Sequence, residues 1–166
     1  MLAYVFRHWP AEGVDRAAYE TSLVDFHRRL AAGGSEGFLR SAVYRVDGRY
    51  EDWYLVEGSF ALDPLNEAAV GARLRPAHDA VAAEAGGGSG SLFRLQSGVP
   101  EPASGEVSWL SKPKGEGYPD FYARFPAEAV LWRRQLVLGG PTEFLLEGAP
   151  PPGLSAETVH RELLSG

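Results

Sequence analysis

Histidines offer the clearest acid–base chemistry in this chain, because an imidazole titrates near neutral pH. The four are His8, His27, His78 and His160. No two of them have the HxH or HExxH spacing of a local metal site, and the sequence predicts no metal and no cofactor. His8 ends an apolar segment, and His78 precedes Asp79 near the start of a helical segment. We therefore predict His78 and His8 as the acid–base residues.

Two other groups of residues have side chains that could take part in chemistry. In SKPKGEGYPDFYARF, residues 111 to 125, the lysines precede the glycines and Glu116 lies between the glycines, unlike a phosphate-binding loop. The segment favours a shaped connection, with a lid that carries Lys112 or Lys114 over a pocket as the alternative. The adjacent acids Glu51 and Asp52 follow a predicted turn, and we expect both to be solvated.

Composition limits the classes of function. The chain has 166 residues, a net charge of -6 and no cysteine. A negative charge disfavours nucleic acid and anionic membranes as partners, and the lack of cysteine excludes thiol catalysis. No apolar run approaches the ~18 residues that a membrane helix needs, and MLAYVFRHWP does not resemble a signal peptide. These features predict a soluble, cytoplasmic protein.

The first half of the sequence has alternating strand and helix signals. LAYVFRHW predicts a strand that ends at Pro10, and Asp15 caps a helix that ends at Gly33 and Gly34. One apolar stripe of that helix comprises Tyr19, Leu23, Phe26 and Leu30.

A hairpin, a helix and a fourth strand follow. GFLRSAVYRV and EDWYLVEGSF predict strands joined by a turn at Asp47 and Gly48. Asp63, followed by Pro64, predicts the start of a helix. GGGSG, residues 86 to 90, predicts a flexible turn, and SLFRLQSGV predicts the fourth strand.

This order indicates an α+β fold. Residues 1–99 read as a ferredoxin-like βαββαβ sandwich with an antiparallel sheet. After the linker PEPASGE, residues 106–166 predict a βαβα extension, with a helix from Pro119 to Leu136 and a second from Ser155 to Leu164. Two strands bury little alone, so we expect the extension to pack on the first sheet or on a partner chain.

Large aromatic residues occupy the predicted strands in positions that cannot all face one side. They are Tyr4, Phe6, Tyr44, Trp53, Tyr54, Phe93 and Trp109. A sheet with bulky apolar groups on both faces needs a second cover. The pattern predicts a dimer interface, an internal pocket, or both.

The strand order, together with HRRLAAG, GFLRSAVYRVDG, EDWYLVEGS and RPAHDAV, resembles the dimeric α/β-barrel superfamily over residues 1–99. The superfamily includes cofactor-free antibiotic-biosynthesis monooxygenases, EthD-like and NIPSNAP-like proteins. The resemblance implies that two ferredoxin-like sheets pair face to face, within a chain or between chains, and a homodimer is expected. It also implies a pocket between sheet and helices. The added C-terminal extension departs from the family pattern.

Three hypotheses for function follow. The first is a protein that binds a small apolar or aromatic molecule in this pocket. The second is a cofactor-independent monooxygenase or isomerase, in which His78 or His8 is the base and Arg7 or Arg40 holds an anionic oxygen. In either case the predicted ligand-binding residues are Arg7, Arg40, Tyr44 and Trp53. The third is a non-catalytic protein whose apolar sheet face serves oligomerisation. A haem-degrading variant, with His8, His27 or His78 as axial ligand, is less favoured.

Overall fold

Eight antiparallel strands form the framework of the protein in a computed structural model, which describes residues 1–136 and 142–166. The strands are β1 (Leu2–Pro10), β2 (Phe38–Val46), β3 (Arg49–Val56), β4 (Ala85–Ser97), β5 (Gly105–Leu110), β6 (Leu131–Arg134), β7 (Phe144–Glu147) and β8 (Ala156–Ser165). The helices are α1 (Arg16–Gly33), α2 (Leu62–Val70), α3 (Arg75–Glu84) and α4 (Tyr118–Tyr122). The strands close into one barrel in the order β1-β3-β2-β8-β5-β7-β6-β4. The predicted α+β class with an antiparallel sheet is confirmed.

Helix α1 and the β2–β3 hairpin form as predicted. The Asp15 carboxylate accepts a hydrogen bond from the Ala18 N–H at 2.8 Å, and α1 ends at Gly34, whose φ is 61°. Asp47 and Gly48 both have positive φ, 47° and 75°, as a two-residue type I′ turn requires.

One prediction between β3 and β4 is wrong. The segment GGGSG lies inside β4 rather than in a turn, because its backbone pairs with β1 along residues 87 to 90. The predicted start of a helix near Asp63 is confirmed, since α2 begins at Leu62, although Asp63 lies in the first turn and does not cap the helix.

Both helices predicted for the C-terminal segment are also wrong. Only Tyr118–Tyr122 is helical, since Pro126 cannot continue a helix, and Leu131–Arg134 is the strand β6. The segment Ala156–Ser165 is the strand β8, which pairs with β2 and β5. Local helical signals at Ser155 and after it yield to the pairing that closes the barrel.

The two halves of the barrel repeat one strand order. In the first half the order is β4-β1-β3-β2, and in the second half it is β8-β5-β7-β6. The halves join where β2 pairs with β8 and where β4 pairs with β6. Helices α1, α2 and α3 belong to the first half, whereas the second half contains the single short helix α4 among its described residues. No helix in the described ranges is long and apolar enough to cross a membrane.

The barrel interior is a closed core that contains two ion pairs. Its apolar part includes Trp53, Phe93, Trp109 and Trp132. Arg7 pairs with Glu51 at 2.9 Å, and Arg161 pairs with Glu147 at 2.8 Å. Trp53 donates its indole N–H to Glu51, and Trp132 donates its indole N–H to Glu147. Each half therefore contributes one glutamate that is bound by an arginine and a tryptophan.

Candidate functional site

A cavity of about 720 Å³ lies outside the barrel, between the sheet of the first half and its helices. Strand side chains alternate between the two faces of a sheet, so every second residue of β1 and β3 faces this cavity. From the sheet it is lined by Tyr4, Phe6, His8, Asp52 and Tyr54, and α1 contributes Tyr19 and Phe26. The cavity volume suits a small organic ligand.

Glycines of β4 form part of the cavity floor. Gly86, Gly87 and Gly88 line it, and Gly88 is paired with His8 in the β1–β4 register. A Cβ atom on Gly88 would overlap the Phe6 ring, and one on Gly90 would overlap the Tyr4 ring. The missing side chains therefore let both aromatic rings lie over the strand.

A buried carboxylate lies at the centre of the sheet side of the cavity. Asp52 Oδ1 is 3.2 Å from His8 Nε2 and 3.3 Å from His27 Nε2. Tyr54 donates its hydroxyl to Asp52 Oδ2 at 3.2 Å, and His8 Nδ1 is hydrogen-bonded to the Tyr19 hydroxyl at 2.6 Å. These five side chains are called the Asp52 cluster below. They bring together two strands and the helix α1.

The electrostatics of the Asp52 cluster favour an ionised carboxylate among protonated tyrosines. Burial would raise the pKa of Asp52, but the charges and contacts of His27 and His8 outweigh it and lower that pKa below its ordinary value. Burial and then the Asp52 charge raise the pKa of Tyr54 and of Tyr19 well above the ordinary value for tyrosine. Tyr54 and Tyr19 therefore stay protonated at neutral pH, and Tyr54 donates its hydroxyl to Asp52.

The two histidine contacts with Asp52 are charge contacts without hydrogen-bond alignment. Asp52 Oδ1, His8 Nε2 and both ring nitrogens of His27 are buried and lack a well-aligned hydrogen-bond partner. Unaligned buried polar groups are costly in a protein interior, and they are common where function requires them. Asp52 Oδ1 therefore lies within ion-pair distance of both imidazole rings without a directed hydrogen bond to either.

The helical wall of the cavity supplies further polar groups. His78 on α3 lines it with a side chain that is 39% exposed, and His78 Nδ1 is 3.0 Å from Asp79 Oδ1. Asp63 and Asn66 on α2 also line it. The structure thus brings the two predicted acid–base residues, His8 and His78, to one cavity. His8 is almost fully buried, so His78 is the more open to a ligand.

The four predicted ligand-binding residues do not line this cavity. Arg7 follows the opposite face of β1 and lies over the Trp109 ring, 3.7 Å from its centre. Arg40 pairs with Glu101 and donates to the Pro100 carbonyl. Tyr44 and Trp53 belong to the barrel core, because alternation along β2 and β3 turns them inward.

Three of those residues meet at a different place. Arg40, Tyr44 and Trp53 line a crevice of about 20 Å³ at the edge of the barrel core, together with Arg161 and Glu147. That volume is enough for about one water molecule and too small for an organic ligand. The sheet separates this crevice from the cavity, so the single site expected from the sequence does not form.

Asp52 is the main residue that sequence reasoning missed. Both Glu51 and Asp52 are 4% exposed, so the prediction that they are solvated is wrong. A signal was present in EDWYLV, where bulky residues alternate on both faces of one strand. Acids within such a strand must share those buried faces. His27, next to the apolar stripe of α1, is buried because that side of the helix packs against the sheet at Asp52.

Neither metal ligation nor anion binding has support in the side chains of this site. Among the described residues, no group of three or more His, Cys, Asp or Glu is arranged to hold a metal ion. No arginine or lysine occurs among the described residues that line the cavity.

Solved structures with the same architecture come from proteins of very different sequence. A proposed monooxygenase from Lactobacillus acidophilus NCFM has a TM-score of 0.67 at 10% identity, over 99% of this chain and 94% of the other. A proposed monooxygenase from Fusobacterium nucleatum has a TM-score of 0.65 at 10% identity, over 99% and 92%. A proposed chlorite dismutase has a TM-score of 0.53 at 14% identity, over 98% and 94%.

This chain has the same fold as these three solved proteins. The predicted resemblance is confirmed at the level of the fold, and here all eight strands of the barrel come from one chain. No protein-family profile and no curated protein sequence matches the chain.

Proposed function

We propose that the protein binds a small, largely aromatic molecule in the cavity between the first-half sheet and its helices. The observation that carries this proposal is a volume of about 720 Å³ whose walls combine aromatic rings with a few buried polar groups. Apolar walls with few, convergent polar groups are typical of small-molecule sites. Tyr4, Phe6 and Tyr54 would contact the rings of the ligand, and the Asp52 cluster would orient its polar group.

A matched pair of variants on α3 tests this proposal. Ala82 and Ala83 are both exposed, and of the two only Ala82 lines the cavity. We expect Ala82→Trp to weaken binding of a naphthalene probe at least tenfold, because the indole would occupy ligand space. Ala83→Trp should leave the dissociation constant unchanged. Equal dissociation constants for wild type and Ala82→Trp would contradict binding in the cavity.

A second candidate function is proton-transfer catalysis in the same cavity, as in a cofactor-independent oxygenase or isomerase. The buried Asp52 carboxylate with His8 and His27 at 3.2 and 3.3 Å favours it, because such a pairing sets up an acid–base group. His78 would exchange a proton with the ligand directly, and His8 would act through Asp52 and Tyr19. Turnover of a phenolic substrate with oxygen uptake should fall at least tenfold in His78→Ala or His8→Ala. Unchanged rates in both variants would rule this candidate out.

The predicted homodimer and the cytoplasmic location stay predictions. Because the strands of the barrel pair within one chain, a homodimer would have to use a surface other than an open sheet edge. Native mass spectrometry distinguishes one chain of 18.0 kDa from a mass twice as large.

A further inference from the structure

The charges around the cavity are of one sign apart from histidine. The acidic groups at its walls are Asp52 and Asp63, and no described arginine or lysine lines it. Glu84, at the end of α3, lies near enough for its charge to raise the pKa of Tyr19. The positive charges that the described walls offer are those of His8 and His78, with His27 behind Asp52.

The Asp52 charge is effective because it is held away from water. Its side chain is 6% exposed, and the groups nearest to the carboxylate are His8, His27 and Tyr54. A charge in a region of low dielectric constant acts more strongly on a bound ligand than the same charge on a wet surface. An anionic ligand would meet repulsion from Asp52 and Asp63, and histidines alone could offset it among the described lining residues, since these include no arginine or lysine.

The aromatic walls also favour a positively charged ligand. Tyr4, Phe6, Phe26 and Tyr54 line the cavity, and the faces of such rings carry partial negative charge. A cation above a ring face is attracted by that charge, most of all where water is excluded. Buried carboxylate and aromatic faces together recognise an ammonium group attached to an apolar body.

We propose that the ligand of this cavity is a cationic aromatic amine. The amine nitrogen binds toward the carboxylates of Asp52 on the sheet and Asp63 on α2, and the ring system packs against Phe6 and Tyr54 over the glycines of β4. This inference rests on the proposed function and names the charge class of its ligand. It replaces the anionic oxygen that Arg7 or Arg40 was predicted to hold, since both arginines pair elsewhere.

Three probes with one ring system separate charge from shape. Naphthylmethylamine is a cation at pH 8, naphthylmethanol is its neutral counterpart, and naphthoate is an anion. Isothermal titration calorimetry at pH 8 gives each dissociation constant for the full chain. We expect the amine to bind about tenfold more tightly than the alcohol, about 1.4 kcal/mol, and the carboxylate to bind most weakly. Carboxylate binding equal to or tighter than amine binding would overturn the inference while leaving small-molecule binding intact.

Variants assign the preference to the carboxylates. Asp52→Asn and Asp63→Asn should each reduce the ratio of amine to alcohol affinity at least threefold, with little change for the alcohol. Asp63 is exposed on α2, so Asp63→Asn keeps the test valid if Asp52→Asn fails to fold. Asp25→Asn is the control, because Asp25 pairs with Arg29 on α1 outside the cavity. A ratio unchanged in both cavity variants would overturn the inference, and failure of all three probes to bind would overturn the proposed function itself.

Discussion

The two halves of the barrel have similar inner faces and different outer faces. Inside, Glu51 on β3 and Glu147 on β7 occupy equivalent strands, and each binds an arginine and a tryptophan. Outside, β3 carries Asp52 and Tyr54 beneath a cavity, whereas the outer side of β7 packs Phe144 and Leu146 against α4.

The inner faces are similar because closure of the barrel requires a filled interior in both halves. The outer faces differ because only the first half has the cavity described above. Both halves must fill the interior, so both contribute tryptophans and ion-paired glutamates. The second half covers its outer face with an apolar cluster of Leu110, Phe121, Phe125, Leu131, Phe144 and Leu146. The first half instead places charged and hydroxyl groups on its outer face, at a cost in stability. Among its described residues, the second half buries only the hydroxyl of Ser108 on the outer face of β5, whereas the first half buries a carboxylate beside two histidines, on which the proposed site depends.

The largest effect is expected from opening the apolar cover of the second half. Phe121 is 0% exposed and packs against Phe144 with ring centres 4.6 Å apart. Phe121→Ala should lower the free energy of unfolding by about 4 kcal/mol through lost burial and a new cavity. Chemical denaturation measures this, with the exposed Phe60→Ala as control. Naphthylmethylamine affinity should stay at the wild-type value. A loss of affinity in folded Phe121→Ala would mean that the halves are not separate in function.

The two ion pairs inside the barrel should contribute differently to the free energy of unfolding, because their arginines are buried to different extents. Arg161 has a side chain only 3% exposed and lies over the Tyr44 ring at 4.2 Å, so Arg161→Ala leaves Glu147 without its cation. We expect a loss of about 3 kcal/mol in unfolding free energy. Arg7→Ala should cost less, about 1.5 kcal/mol, because the Arg7 side chain is 43% exposed and water can partly replace it beside the buried Glu51. Equal losses in the two variants, measured by urea unfolding, would contradict this ranking.

Removing the Asp52 charge should alter how stability depends on pH. Asp52→Asn is expected to cost about 2 kcal/mol at pH 7, since the carboxylate loses charged contacts and becomes an amide. The folded state lowers the pKa of Asp52, so its contribution is present above the unfolded value of about 3.9 and is lost as pH falls below it. From pH 7 to pH 3, the free energy of unfolding should therefore fall more steeply for wild type than for Asp52→Asn. Parallel curves would show that the folded state does not lower the pKa of Asp52.

The smallest effect should come from one hydroxyl of the Asp52 cluster. Tyr54→Phe removes the hydrogen bond to Asp52 Oδ2 and should cost about 1 kcal/mol. The matched change in the second half, Tyr118→Phe, removes a hydrogen bond to the partly exposed Glu143 and should cost less. A larger loss in Tyr118→Phe would contradict the special role given to the buried cluster.

Sequence patterns predicted the first half of the barrel better than the second. Local signals decide α1 and the β2–β3 hairpin, because a cap at Asp15 and a turn at Asp47 and Gly48 act within a few residues. β8 depends on distant partners, since β2 and β5 supply its pairing. Helical capping signals near Ser155 could not reveal those partners.

The candidate site was only partly predictable for a similar reason. His8 and His78 were chosen for their chemistry, and they line one cavity. The burial of Asp52 was not predicted, because the sequence shows only that Asp52 lies close to the turn at Asp47. It does not show that α1 covers Asp52. Arg7 was predicted for the same site as His8, but neighbouring residues of a strand point to opposite faces of the sheet. Arg7 therefore lies on the face of β1 that is turned away from the cavity. GGGSG predicts a turn because glycine is uncommon inside strands. In this protein the glycines lie in β4, where they leave room for aromatic rings of β1.

Chemical-shift mapping with naphthylmethylamine tests the central claim most directly. In a titration of ¹⁵N-labelled protein, we predict saturable shifts concentrated at Tyr4, Phe6, Tyr54 and along α3, with little change in β5, β6 and β7. That result would place the ligand in the first-half cavity. Shifts concentrated in the second half, or no saturable shift at millimolar probe, would contradict the account.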